Sequence, residues 1–158
     1  MKKSEIKTLE EAKQYLRDNY EKGTECLCCK QRVQLYKRKL NAGMCYGLIA
    51  LYRISNGNDF IHIPTEFTKR KINNSNTELS KLAYWGLIEE KKNEDSSKRT
   101  SGYWRITQRG IDFVNKKILL PRHALIYNGK CRGFTKEGVS IIMALGDKFN
   151  YDELMQGL

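Results

Sequence analysis

The sequence predicts an α+β fold, on three observations. Apolar residues recur at helical spacing in several stretches. Short strand-like runs, "FIHI", "LIEEKK" and "YWRIT", stand between those helices. Asn128–Gly129 is a strong turn signal inside "HALIYNGKCRGFT", which predicts a hairpin near the end of the chain. The 158 residues suffice for one domain, or one domain with small additions, around a packed core.

The elements follow in order. Thr8 and Glu11 form a T-x-x-E capping box before "LEEAKQYLRDNYEKG". Leu9, Ala12, Leu16 and Tyr20 fall on one face of that helix, and Gly23 is its stop. Asn41 caps "AGMCYGLIALYRIS", whose apolar residues cover nearly every side, so this helix is the core. "NGND" breaks the chain before the strand "FIHI". Pro64 and Thr65 then open a short helix with Phe67 and Ile72 as its apolar positions. "NNSN" leads to a second helix, with a capping box at Ser75 and Glu78 and a stop at Gly86. Two strands flank a charged, serine-rich excursion, and "TQRGIDFVNKK" is a further helix. Two short helical pieces, "GVSIIMALGDKF" and "NYDELMQGL", end the chain.

Charge points to a polyanion. The formal net charge is +11, from 29 basic and 18 acidic residues. The excess sits on the body, because residues 136–158 carry two basic and four acidic groups. No run of about 18 apolar residues exists, so no spanning helix is expected. "MKKSEIKTLEEAK" lacks the apolar segment of a secretory signal, so the expected location is the cytoplasm.

The middle of the chain therefore runs helix, strand, helix, turn, helix, strand, polar hairpin, strand, helix. This is the order of a winged helix-turn-helix. Leu79, Leu82 and Ala83 form the apolar face of its second, recognition helix. Asn76, Thr77, Ser80, Lys81 and Tyr84 face the other way, with side chains that suit base edges or phosphates. Lys69, Arg70, Asn74 and Ser75 precede that helix and complete its expected contact surface, Ser75 leaving amides free for a phosphate. The excursion is then a wing. Lys91, Lys92, Lys98 and Arg99 can follow a phosphate backbone, opposed in part by Glu94 and Asp95. The predicted organisation is an N-terminal helix and cysteine-rich segment (1–40), a winged-helix domain (41–117), and a C-terminal hairpin with short helices (118–158).

"LAYWGLIEE…KR…YWRITQRG" resembles the helix–wing–helix segment of MarR-type winged-helix regulators. Gly86, Leu87, Ile88, Ile106, Thr107 and Gly110 match that pattern, and Asp95 and Arg99 match with a different spacing in a longer wing. The family's long terminal dimerisation helices have no counterpart here. The tail and the C-x-x-C segment are similar to small uncharacterised phage and prophage proteins. The resemblance implies binding of double-stranded DNA, sequence-specific or structure-tolerant, by a transcriptional or phage-encoded regulator. The alternative is a phage or mobile-element accessory protein whose winged helix docks on a host or phage protein.

Five cysteines, an odd number, argue against a disulfide framework. Cys26 and Cys29 have the C-x-x-C spacing of half a zinc site. Cys131 and His123, which a hairpin could present on one side, are the candidate partners, while Cys45 belongs to the core helix. The alternative is packed, reduced thiols. No phosphate loop, nucleophile elbow or dinucleotide fingerprint occurs. The two histidines lie far apart in sequence, and no catalytic triad is visible, so the expectation is a binding protein.

Overall fold

In the computed structural model, residues 2–55, 59–72 and 76–157 are described. In chain order they form α1 (Leu9–Asn19), β1 (Thr24–Glu25), β2 (Arg32–Val33), β3 (Tyr36–Lys39), α2 (Ala42–Ile54), β4 (Ile61–His62) and α3 (Ile63–Lys69). Next come α4 (Asn76–Leu79), a 3₁₀ segment (Ser80–Trp85), β5 (Ile88–Glu90), β6 (Tyr103–Ile106), α5 (Gln108–Val114) and β7 (Leu120–Pro121). The last elements are β8 (His123–Tyr127), β9 (Lys130–Phe134), β10 (Gly138–Val139), α6 (Ile141–Leu145) and α7 (Tyr151–Gln156). The fold is α+β. It divides into two compact units, one of Met1–Arg38 with Leu125–Gly133, the other of Lys39–Ala124 with Phe134–Leu158. The chain's order is thus interleaved: the hairpin tip groups with the N-terminal segment, and the last helices group with the middle.

In the first unit, the Thr8 cap forms as its sequence requires. Its hydroxyl accepts from the Glu11 amide at 3.2 Å, and the Glu11 carboxylate accepts from the amides of Lys7 and Thr8 at 2.7 and 3.0 Å. Those two backbone donors, Lys7 first, hold the Glu11 carboxyl below its ordinary range. The expected apolar stripe is only partly covered. Ala12, Leu16 and Tyr20 are half-buried, but Leu9, in the first turn, is 62% exposed. β1 and β2 pair antiparallel, Thr24 with Val33 and Glu25 with Arg32, and only Thr24 and Val33 face inward. Asn128 and Gly129 both adopt positive φ, 52° and 70°, which the two-residue turn joining β8 to β9 requires.

In the second unit, α2 is the core. The Asn41 side chain accepts from the Met44 amide at 2.9 Å and starts the helix. Met44, Cys45, Leu48, Ile49, Ala50 and Leu51 have no exposed surface. Burial pushes the Cys45 thiol up to about 12. Around α2 pack α4, α5, α6, α7 and β6. The C-terminal helices are tied down by particular bonds. Arg53 donates to the carbonyls of Leu154 and Met155, Tyr151 donates to the Val114 carbonyl at 2.7 Å, and Tyr46 stacks on Phe149. The sheet order is β4–β6–β5, all antiparallel, and β7 pairs with β10.

One element differs from expectation. The helix before Gly86 is α-helical only over Asn76–Leu79 and tightens to 3₁₀ over Ser80–Trp85. A 3₁₀ segment repeats every three residues, not every 3.6. The buried face is therefore Leu79, Leu82 and Trp85, and Ala83 is exposed. The Trp85 indole donates to the Pro121 carbonyl at 2.8 Å, which fixes the end of the segment. Gly86 closes it with φ 73°.

Candidate functional site

The site grows from the β5–β6 register. Ile88 pairs with Ile106, and Glu90 with Trp104. Side chains two apart in a strand share a face, so Glu90 and Trp104 continue the face whose inner part, Ile88 and Ile106, is core. Past the core edge that face forms one wall of a cleft of about 610 Å³. The opposite walls are Ile63 and Pro64 at the start of α3, and Leu79, Ser80 and Lys81 where α4 passes into the 3₁₀ segment. Arg99, Thr100 and Gly102 of the excursion complete it. Two cations, Lys81 and Arg99, thus reach the same cleft from two elements.

The excursion, residues 91–102, is a built structure. The Glu90 carboxylate accepts from the Thr100 hydroxyl at 2.8 Å and the Ser101 amide at 2.9 Å. The Lys91 amide donates to Tyr103 and the Ser101 hydroxyl donates to the Lys91 carbonyl, which extends the ladder beyond β5 and β6. At the tip, Asn93 accepts from the Asp95 amide and donates to the Lys98 carbonyl, and Asp95 accepts from both the amide and hydroxyl of Ser97. The hydroxyl, then the amide, hold the Asp95 carboxyl below its ordinary range. With its own polar groups engaged internally, the tip leaves Lys91, Lys92, Lys98 and Arg99 exposed. Lys91 also lies 5.5 Å over the Tyr103 ring.

The expected contact residues do not all fall in one place. Lys81 and Ser80 line the cleft with Arg99, and Tyr84 follows Lys81 by one 3₁₀ turn. Arg70 is elsewhere: it pairs with Glu66 at 3.5 Å and lines a separate recess of about 120 Å³ with Ala50, Arg53, Ile54 and Ile72. Lys69 is exposed at the end of α3. Asn74, Ser75 and its expected capping box lie outside the described residues, as do the side chains of Asn76 and Thr77. Trp104 and Glu90 line the cleft as well, beyond the residues expected to make contact. Their signal was the period of two from Ile88 and Ile106, which puts both on the cleft face.

Gly86, Thr107 and Gly110 are tied together where the end of the 3₁₀ turn meets the start of α5. The Thr107 hydroxyl donates to the Gly86 carbonyl at 2.6 Å and accepts from the Gly110 amide at 3.1 Å, so one side chain joins the end of one element to the start of another. The Thr107 amide donates to the Leu87 carbonyl at 3.0 Å. A Cβ on Gly110 would stand 2.3 Å from that same carbonyl oxygen, so only glycine permits the approach. These contacts fix the angle between the Lys81 segment and the strands that carry the excursion.

The cysteines divide into two kinds. Cys45 is buried, while Cys28 and Cys29 are exposed and Cys26 is half-buried. Among the described residues no group of three or more His, Cys, Asp or Glu is placed to hold a metal ion. Of the expected set, Cys26, Cys29 and Cys131 belong to the first unit and His123 to the second. The Cys131 thiol instead donates to the Gly133 carbonyl at 3.3 Å.

No family model, no curated protein and no solved structure matches this chain. Among the described residues no helix is long and apolar enough to cross a membrane.

Proposed function

We propose that this chain binds double-stranded DNA as a winged helix-turn-helix regulator. In this reading residues 76–85 are the recognition segment and residues 91–102 the wing. The observation that carries it is the joint order and pairing of α2, β4, α3, α4 with its 3₁₀ extension, β5, β6 and α5, with the strand between α2 and α3 paired to β6 and β6 central in the sheet. That arrangement supports the reading because it presents Lys81 and Arg99 to one cleft, with Lys91, Lys92 and Lys98 exposed on the same excursion. Two cationic ridges with a gap between them suit a duplex whose backbone passes over one while a groove receives the other. The reading is of a binding protein, with no catalytic step.

One observation favours protein docking as a second reading. The cleft has Ile63, Pro64, Leu79 and Trp104 in its walls, which suit an apolar side chain. Salt separates the two. With five phosphate contacts, log affinity for DNA should fall against log salt with a slope of about −4.5, at about −0.9 per contact. Replacing Lys98 and Arg99 together by alanine should reduce the steepness by about 1.8 and weaken all sequences alike. Gel shifts or fluorescence anisotropy across a salt series read both values. Absence of DNA binding at low salt, or an unchanged slope in the double variant, would overturn the DNA reading.

A further inference from the structure

The cleft between the excursion, α3 and the 3₁₀ segment holds more than a duplex backbone needs. Paired DNA presents its phosphates and the edges of its bases, while the faces of those bases are covered by their neighbours. Lys81 and Arg99 suit the phosphates. The other side chains do not. Ile63 and Leu79, both buried, stand with the half-buried Trp104 in the same walls, and Glu90 lies among them. An indole and two aliphatic side chains have no partner on a closed backbone. A carboxylate beside the two cations opposes a bare phosphate, but it accepts from the N–H groups of a base edge.

Bonded backbone holds these groups in place. Trp104 lies in the central strand β6, opposite Ile61 of β4 on one side and Glu90 of β5 on the other. Oε1 of Glu90 accepts from both the Thr100 hydroxyl and the Ser101 amide, which joins the carboxylate to the excursion. The Ile63 amide donates to the Gly102 carbonyl at 3.0 Å, which joins the excursion to the start of α3. Gly102 has φ 75°, and a Cβ there would stand 2.9 Å from His62 Nε2, so this approach favours glycine on both counts. The cleft is therefore formed before anything enters it. Its volume, about 610 Å³, falls within the range of about 300–1,000 Å³ usual for small-ligand sites.

We infer that the cleft takes one unpaired nucleotide of DNA, its base on the Trp104 indole and its phosphates between Lys81 and Arg99. The inference rests on the DNA-binding reading and narrows its ligand from a closed duplex to a duplex with a single-stranded end. An unstacked base offers what a paired one does not, a free π-face to lie on an indole. The Glu90 carboxylate then accepts from the edge of that base, and the cations that hold the flanking phosphates offset its charge. Stacking of this kind tolerates any base, because every base has such a face. The duplex beyond the junction lies along the exposed cations of the excursion, Lys91, Lys92 and Lys98.

The test uses the full chain and a set of DNA ligands at one low salt concentration. They are a blunt duplex, the same duplex with a single-stranded extension of about four nucleotides, and that extension with abasic residues in place of its bases. Affinity is read by fluorescence anisotropy of a label on the far end, and stacking by tryptophan emission. The chain has two tryptophans, and Trp85 is buried with its indole bonded to Pro121, so quenching reports on Trp104. The extended duplex should bind about tenfold tighter than the blunt one and quench the emission, and the abasic extension should do neither. The abasic strand keeps every phosphate, so charge alone cannot produce this pattern. Trp104→Leu should bring the ratio of extended to blunt affinity close to one, and Trp104→Phe should restore part of it, with circular dichroism reporting that both remain folded. Equal affinity for blunt and extended duplex would overturn the inference and leave the duplex reading standing, as would an abasic extension that binds like the normal one. A free deoxynucleoside monophosphate that binds as tightly as the extended duplex would overturn the assignment to DNA. Failure of every ligand to bind would overturn this inference and the DNA-binding reading together.

Discussion

Gly110→Ala tests how the cleft is held. The added methyl would meet the Leu87 carbonyl oxygen at 2.3 Å and Ile106 Cγ1 at 2.6 Å, where ordinary contact begins near 3.4 Å. The first obstacle is backbone and cannot rotate away. Something must therefore move by about 1 Å, either the start of α5 or the 86–88 segment. Either movement strains the bond from the Thr107 amide to the Leu87 carbonyl, and the bond from the Thr107 hydroxyl to the Gly86 carbonyl. Overpacking of this kind costs about 1–3 kcal/mol, and loss of one such hydrogen bond about 0.5–1.5 kcal/mol more. We expect a loss of about 1.5–4.5 kcal/mol, measured as a lower urea midpoint with an unchanged slope. Gly129→Ala is the control. It has positive φ, 70°, but nothing within 4 Å of the new methyl, so only backbone strain of about 1 kcal/mol is expected. In the DNA-binding reading, affinity should also fall at temperatures where Gly110→Ala remains folded, although no cation has been removed. Equal losses at the two glycines would refute the reasoning, since backbone strain alone would then account for both.

Two further predictions concern single groups. Cys45 should resist alkylation in the native state while Cys28 and Cys29 react, because its thiol is buried and pushed up to about 12; mass spectrometry of the labelled peptides checks this, and rapid native labelling of Cys45 would contradict its place in the core. Glu11 should lend α1 a pH-dependent cap. Its folded-state carboxyl is below the ordinary value, so its contribution is present above the unfolded pKa and lost as pH falls through the folded one. Thermal melts of Glu11→Gln and the parent should therefore differ at neutral pH and converge in acid, and a difference that persists undiminished at low pH would rule out this charge as the cause.

Local signals in the sequence located most elements of the second unit. Asn41 and Thr107 act as caps, Gly86 as a stop, and the apolar run of α2 as the core, because each depends on neighbours within a turn or two. The 3₁₀ tightening was not legible, since Leu79, Leu82 and Ala83 satisfy a 3.6-residue period as well as Leu79, Leu82 and Trp85 satisfy a period of three. What decides is the Trp85 indole reaching Pro121, a bond 36 residues away in sequence. The β7–β10 pair and the place of β3 beside β8 are likewise set by partners far along the chain, and strands of two to four residues give too little alternation to announce themselves. Arg70 shows the same limit at the candidate site. By sequence it belongs with the cations before the recognition segment, but its pairing with Glu66 and the short length of α3 turn it to the end of α2.

The 3₁₀ segment also bears on how DNA would be read. A segment with three residues per turn stacks its outer side chains in columns, Ser80 over Ala83 and Lys81 over Tyr84, where an α-helix would fan them around its axis. A column presents a narrow edge to a groove, with fewer side chains able to reach separate bases. In the DNA-binding reading, sequence readout would then fall mainly to the α-helical turn Asn76–Leu79, and the 3₁₀ part would supply grip through Lys81. The excursion would add cations without adding base-reading groups, because the polar side chains of Asn93, Asp95 and Ser97 are engaged with one another at its tip. Such a balance favours affinity carried by phosphates over discrimination among sequences. In the DNA-binding reading, therefore, the gap between cognate and random duplex should be small at low salt and should stay nearly constant as salt rises, because the contacts that salt weakens are those that every sequence shares.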